Sequence, residues 1–167
     1  MNEISFKLRQ WQLTDLDSLV KYADNPNIAR NLTDAFPSPY TRESGEGYIK
    51  MVCNDNPVKV FAIEIDGEAV GSIGVFPQAD IHRLNAEMGY WLAEPYWGKG
   101  IMPRAIKQMV KYAFDTFEIN RIFARPFGRY TWVFGPTRER CSSDRSCAGV
   151  PDPICGNRDF KVCIEGI

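Results

Sequence analysis

The sequence lacks an excess of charge of either sign, and it lacks long apolar runs. Its 167 residues include 20 basic and 21 acidic side chains, which give a net charge of −1. This balance gives no electrostatic reason to expect nucleic acid or a membrane surface as a partner. No apolar run approaches the ~18 residues that span a bilayer, and the N-terminal "MNEISFKLRQW" lacks the apolar stretch of a signal peptide. We therefore expect a soluble cytoplasmic protein.

Histidine and cysteine are also scarce. The chain has one histidine and five cysteines, and an odd number of cysteines in a cytoplasmic protein argues against a disulfide framework. Cys53 falls in a predicted helix, and we interpret it as a small buried hydrophobic residue. The other four lack the C-x-x-C spacing of structural zinc sites: Cys141, Cys147, Cys155 and Cys163. We expect no metal; zinc binding by these four is an alternative that a metal assay on purified protein would test.

The apolar pattern that is present predicts a mixed α/β sheet. Residues 3–10 alternate as a first strand, and two helices follow, with Thr14 and Thr41 as predicted N-caps. Two strands joined by the Asp-Gly pair at 66–67 indicate a hairpin, and "NAEMGYWLA" predicts a third strand. Apolar residues at helical spacing predict an amphipathic helix over 101–117, and "INRIFARPF" predicts a last strand. This order favours a single α/β domain.

The character of the sequence changes after Gly128. The segment 129–167 is rich in Cys, Ser, Arg, Gly and Pro, and no helical or strand period continues through it. We therefore divide the chain into a core, 1–128, and an atypical tail, 129–167. A frameshift or assembly error is the favoured interpretation of the tail, and a divergent disordered tail is the alternative. An intact reading frame in the source DNA across codons 125–135 would rule out the first.

The stretch "EPYWGKGIMPRAIKQMV" begins at Glu94 and places two glycines directly before the strongest predicted helix. Glycines allow a close approach of backbone to ligand, and the first amides of a helix have no partner within the helix and carry the positive end of its dipole. The pattern therefore indicates an anion site, with phosphate as the usual occupant. It is neither the dinucleotide fingerprint nor a Walker loop. A plain strand-to-helix turn and another phosphate-bearing ligand stay open as alternatives.

The segment "AEMGYWLAEPYWGKGIMPRAIKQMVKYAFDTFEINRIFARPF" resembles the acetyl-CoA-binding core of the GNAT N-acetyltransferases. It is most similar to the branch that includes ribosomal-protein alanine acetyltransferases, which shows a "GYW" strand, a P-x-W-G-x-G loop and an N-R-[IV]-x-A strand. The opening "LRQWQLTDLDSLVKYADNPNIARNLTDAFPSPYT" resembles the first strand, first helix and Pro-rich loop of that branch. The resemblance covers residues 3–128 and implies acetyl transfer from acetyl-CoA to a primary amine.

The resemblance also implies a set of cofactor-binding residues. Backbone amides of the loop would bind the pyrophosphate of acetyl-CoA: Trp97, Gly98, Lys99, Gly100, Ile101 and Met102. Strand residues Tyr90, Trp91 and Leu92 would pair with the pantetheine arm, which enters where the sheet splays open before the strand at 120–125. Main-chain donors near Leu92 would polarise the thioester carbonyl.

Glu87 is the candidate general base, because a carboxylate suits removal of a proton from the attacking amine and members of the branch often carry a glutamate there. A solvated strand glutamate is the alternative. The acceptor pocket is expected to include Phe36, Pro37 and Tyr40, whose alternative role is rigid packing over the helix ends. The lone histidine, His82, lies in the loop before the strand, where we weigh an acceptor-site residue against a surface one.

The tail departs from the family pattern. The family continues with a helix and two strands, and none of their motifs is present after Phe127, so the fold is expected to be a mostly antiparallel mixed sheet with that part missing or replaced. A non-catalytic module that binds CoA or a protein is the alternative function. The acceptor is a protein N-terminus or a small molecule, and the protein is a monomer or a homodimer.

Overall fold

The computed structural model describes residues 4–125 and 161–164. Six strands form one sheet in the order β1-β2-β3-β4-β5-β6. The first four pair antiparallel, and β4–β5 and β5–β6 pair parallel. The strands are β1 (Lys7–Gln10), β2 (Val60–Ile65), β3 (Glu68–Pro77), β4 (Asn85–Leu92), β5 (Arg121–Ala124) and β6 (Lys161–Ile164). The predicted mixed, mostly antiparallel sheet is therefore confirmed.

In the part of the chain that the structure describes, four α-helices accompany these strands: α1 (Leu16–Ala23), α2 (Pro26–Ala29), α3 (Arg42–Cys53) and α4 (Ile101–Thr116). The predicted cap of α3 is confirmed, because the Thr41 side chain accepts the Ser44 N–H at 3.2 Å. The predicted cap at Thr14 is wrong. A 3-10 turn precedes α1 and begins after Gln12, whose N–H donates to the Asp15 carboxylate at 2.9 Å.

The helices cover the two faces of the sheet with separate apolar clusters. Helix α4 packs on one face against alternate residues of the central strands, including Ile73, Met88 and Leu92. Helices α1 and α3 pack on the other face, where Trp11 and Ile49 are almost fully buried. Alternation along a strand sends neighbouring side chains to opposite faces, so each residue of β4 belongs to one side of the protein only.

The two central parallel strands diverge after a short contact. Strand β4 pairs with β3 over its whole length from Ala86 to Leu92, but it pairs with β5 only from Asn85 to Glu87. Beyond Glu87 no β5 residue lies in register with β4. The separation that the family resemblance implies is therefore present, and it opens a slot in the middle of the sheet.

Strand β6 was not expected from the sequence pattern of the tail. Residues Lys161–Ile164 pair in parallel with Arg121–Ala124 of β5. Parallel pairing depends on a partner far away in sequence, so four residues with little periodicity gave no local signal. The remainder of the tail, and with it the choice among its interpretations, lies outside the described residues.

Two buried tyrosines make the fold sensitive to alkaline pH. Burial raises the pKa of Tyr40 and of Tyr48 to about 12, and the hydrogen bond between the Tyr48 and Ser72 hydroxyls opposes the shift at Tyr48. Both tyrosines titrate near pH 10 in the unfolded chain. Their contribution to the free energy of unfolding is therefore complete below about pH 10 and is lost as pH rises through about 12.

We expect denaturant titrations to show a free energy of unfolding that falls between pH 10 and 12, by roughly 1 kcal/mol or more for each tyrosine. The control is Tyr40→Phe, which removes the titrating hydroxyl from a side chain that is only 5% exposed. This variant should show a shallower decline. An identical decline in the variant and the wild-type protein would contradict the assignment for Tyr40.

Candidate functional site

The slot between β4 and β5 leads into a cleft of about 350 Å³. Residues from β4, the following loop, the start of α4 and the end of β5 line it, together with Ile28, Asn31 and Leu32 at α2. The structure brings most of the sequence-predicted site residues to this lining: Glu87, Tyr90, Trp91, Leu92, Trp97, Gly98, Lys99, Gly100, Ile101 and Met102. The cleft is thus the candidate functional site.

The exposed edge of β4 supplies main-chain groups to the slot. The Ala93 N–H donates to the Val70 carbonyl of β3 at 2.8 Å. Because alternate residues of an antiparallel strand direct their N–H and C=O to opposite sides, Tyr90 and Leu92 direct theirs away from β3 and into the slot. The main-chain N–H and C=O of Trp91 point towards Ser72 of β3. They therefore face away from the slot, and the expected main-chain pairing of Trp91 with a ligand is wrong. Its side chain lines the cleft instead.

Trp97 fixes the loop that follows β4. Its indole Nε1 donates to the Leu92 carbonyl at 2.7 Å, and its own N–H donates to the Glu94 carbonyl at 3.1 Å. The Trp97 amide is therefore engaged within the loop, which corrects its expected role as an anion ligand. The bond to Leu92 holds the loop against the end of the slot.

The two glycines give the loop a conformation that other residues resist. Gly98 has φ 72° and Gly100 has φ 68°, both in the left-handed region. Gly100 is the N-cap of α4, and it has no side chain with which to cap the helix. A Cβ added at either glycine would meet no atom within 4 Å, so both positions border open space. The amides of the first turn of α4 therefore remain available to an anion in the cleft.

A polar clasp holds the start of this loop to α2. One carboxylate oxygen of Glu94 accepts from Asn25 Nδ2 at 2.8 Å and from Asn27 Nδ2 at 3.0 Å. These bonds, that of Asn27 first, lower the pKa of Glu94. Next to the clasp, Lys99 Nζ lies 5.4 Å from the centre of the Tyr96 ring. The sequence analysis read "NPN" at 25–27 only as a helix end and missed this contact.

Glu87 lies where the two strands part, and a cation holds it. Arg125 Nε donates to Glu87 Oε1 at 2.9 Å, and Arg125 Nη2 donates to Glu87 Oε2 at 2.8 Å. The Glu87 carboxylate is therefore held in an ion pair and is not solvated on its own. Arg125 was not identified from the sequence, because 38 residues separate the partners and only the pairing of β4 with β5 brings them together.

The residues predicted to bind the acceptor divide into two groups. Phe36 packs on Tyr40, with ring centres 5.0 Å apart, and meets Trp91 edge to face at 6.2 Å. Pro37, next to Phe36, is half-buried. This aromatic cluster lies on the same face of the sheet as Glu87. His82 is exposed in a 3-10 turn, Asp80–His82, and is not among the residues that line the cleft.

The described residues, 4–125 and 161–164, lack two features. No helix within these ranges is long and apolar enough to cross a membrane. Within the same ranges, no group of three or more His, Cys, Asp or Glu side chains is placed to hold a metal ion.

Comparison with known proteins identifies relatives of this arrangement. The family described as Acetyltransferase (GNAT) domain matches residues 6–127. The chain is 31% identical over 127 residues to an uncharacterized N-acetyltransferase, p20, from Bacillus licheniformis, and the match covers 71% of this chain and 67% of p20. The family match spans β1 to the end of β5, and so includes every element that builds the cleft.

Solved structures share the fold. RimJ of Mycobacterium smegmatis, in complex with CoA-disulfide, superposes with a TM-score of 0.63 at 22% identity, covering 75% of this chain and 64% of RimJ. Spermidine N-acetyltransferase of Vibrio cholerae, in complex with CoA and spermine, gives a TM-score of 0.56 at 24% identity, covering 70% of this chain and 68% of that one. The chain therefore spans about two thirds of the length of these proteins.

Proposed function

The chain belongs to the GNAT acetyltransferase family, and we propose that it transfers an acetyl group from acetyl-CoA to a primary amine. One observation carries the proposal. The cleft joins an uncapped helix start behind two left-handed glycines to an open strand edge that ends at a carboxylate. The loop proposed to bind an anion, the main-chain edge of β4 and the proposed base thus line one continuous space.

The residues present fit acetyl-CoA. The amides of Gly98 to Met102 surround the helix start, where a pyrophosphate is favoured by the helix dipole, and Lys99 adds a positive charge at the loop. The outward main-chain groups of Tyr90 and the outward N–H of Leu92 offer a strand-like edge for an extended amide-containing arm. The cosubstrate supplies an activated acetyl thioester. A non-catalytic module that binds CoA, the alternative function, would need these binding groups but no base.

The chain's own groups then serve the transfer. Glu87 accepts a proton from the acceptor ammonium, so that the nitrogen lone pair can attack the thioester carbonyl carbon. The Leu92 N–H, which faces the slot, stabilises the developing oxyanion. A C–N bond forms, the C–S bond breaks, and the thiolate takes up a proton. The products are the N-acetyl amine, CoA and one released proton. A protein N-terminus and a small-molecule amine both satisfy this scheme.

A thermal titration with acetyl-CoA tests the binding half of the proposal. At 100 times the dissociation constant, acetyl-CoA should stabilise the folded chain by ~2.7 kcal/mol, which raises the melting temperature by roughly 5–10 °C for a chain of this size. Competition with CoA and with free nucleotides separates this ligand from another phosphate-bearing one. A cooperative melt that acetyl-CoA does not shift would contradict the proposal.

A further inference from the structure

Arg125 neutralises the proposed base from the far side of the slot. Its side chain is 57% exposed and that of Glu87 is 30% exposed, so the ion pair borders the open cleft rather than the core. Both oxygens of Glu87 accept from the same guanidinium. An acceptor ammonium that approaches Glu87 therefore meets a carboxylate that already has a cationic partner, and it must replace that partner.

The charges of the cleft do not suit a polyamine. Among the described residues that line it, Glu87 is the one carboxylate and Arg125 is the cation beside it, while Lys99 lies at the glycine loop, where the proposed pyrophosphate would pair with it. A polycation would place several positive charges near a single carboxylate and would leave Arg125 without its partner. Unpaired like charges in a partly buried site are unfavourable. The lining therefore disfavours acceptors of the spermidine type.

A zwitterion satisfies both members of the pair. We infer that the acceptor is an α-amino acid, whose carboxylate takes Arg125 while its ammonium takes Glu87. The exchange replaces one neutral pair by two, so no charge is left without a partner. A guanidinium matches a carboxylate with two parallel hydrogen bonds, which gives Arg125 the geometry of a specificity-determining residue. The inference rests on the proposed acetyl transfer, in which the amino acid's nitrogen gains the acetyl group and its carboxylate is unchanged.

The face of β4 that carries Glu87 also indicates the acceptor's side chain. Gly89 and Trp91 follow Glu87 on this face, at steps of about 7 Å. Gly89 has no side chain, and the half-exposed Phe76 ring of β3 lies over it, with Cε2 3.5 Å from where a Cβ of Gly89 would lie. Trp91 and Phe36 continue this aromatic surface. An aromatic surface beside Glu87 suits an acceptor with a large apolar side chain.

A matched set of acceptors tests the inference on the full chain. L-phenylalanine and phenethylamine differ only in the carboxylate, and spermidine represents the polyamines. We expect wild-type kcat/KM, and affinity in the presence of CoA, to favour L-phenylalanine over phenethylamine by about 10- to 100-fold, the range for hydrogen bonds between charged groups. Spermidine should be the poorest of the three.

The variant Arg125→Gln should remove this preference, because it deletes the partner of the carboxylate, whereas Arg121→Gln, at the start of β5, should keep it. Equal or better use of phenethylamine or spermidine by the wild-type protein, or a preference that survives Arg125→Gln, would overturn the inference and leave acetyl transfer intact. Failure of L-phenylalanine to bind would also overturn it. A different result would contradict the proposed function instead: L-phenylalanine binds preferentially, but the protein acetylates none of the three acceptors.

Discussion

Replacement of Gly100 by valine is expected to weaken acetyl-CoA binding by at least about tenfold. Gly100 has a left-handed φ of 68° and borders open space at the start of α4. A β-branched residue resists that φ and places its methyl groups where a pyrophosphate would approach the helix amides. The loss of one charge-assisted hydrogen bond to a phosphate accounts for a factor of this size. Equilibrium titration with acetyl-CoA measures it.

Gly67 provides the matched control. It lies in the hairpin turn between β2 and β3, has φ 85°, and also borders open space. Gly67→Val therefore imposes a comparable backbone strain of about 1–2 kcal/mol far from the cleft. The two variants should lose similar thermal stability, and only Gly100→Val should lose affinity. Equal affinity in both variants would show that the G-x-G loop serves as a plain strand-to-helix turn.

Glu87→Gln is expected to lower the rate of acetyl transfer by about 100-fold or more, which is the range of general base catalysis. Acetyl-CoA affinity should change little, because the amide keeps the shape of the side chain and Glu87 lies at the other end of the slot from the glycine loop. Single-turnover measurements with saturating acceptor report the chemical step. Glu118→Gln, at an exposed position before β5, controls for the loss of a carboxylate elsewhere.

The ion pair with Arg125 allows a structural role of Glu87 to be separated from a chemical one. With phenethylamine as acceptor, which has no carboxylate of its own, Arg125→Gln breaks the same ion pair but keeps the Glu87 carboxylate. A base should then remain active, and the rate should be at least that of the wild-type protein, because the ammonium no longer has to replace Arg125. If Arg125→Gln and Glu87→Gln slow this reaction equally, Glu87 acts as a partner of Arg125 and not as the base.

The parts of the site that could be predicted from the sequence are those built from neighbouring residues. The helical period of α4 and the two glycines before it depend on local spacing, and the structure places both as expected. The hairpin at 66–67 was predicted from its Asp-Gly pair for the same reason, and Asp66 and Gly67 both have positive φ. The N-cap prediction from local sequence was wrong at Thr14, because the Asp15 carboxylate accepts from the Gln12 N–H and the turn begins after Gln12.

The parts that could not be predicted depend on distant pairing. The clasp of Glu94 with Asn25 joins side chains 69 residues apart, and Arg125 reaches Glu87 only because β5 lies beside β4. The expected role of Trp91 failed for a related reason: which main-chain groups face the slot depends on the register with β3, and a shift by one residue would reverse it. The family resemblance placed the cleft but did not reveal its charge pairing.

The early separation of β4 from β5 has a consequence for the protein between turnovers. Among the described residues, no strand pairs with β4 on the slot side from Met88 to Leu92, where β3 lies on one side of β4 and the cleft on the other. Such an edge is a template for any extended chain, including a strand of a neighbouring molecule. An extended ligand arm lying there acts as a surrogate strand and blocks that template. Under the proposed function, bound acetyl-CoA would then protect the protein from self-association as well as donate acetyl groups.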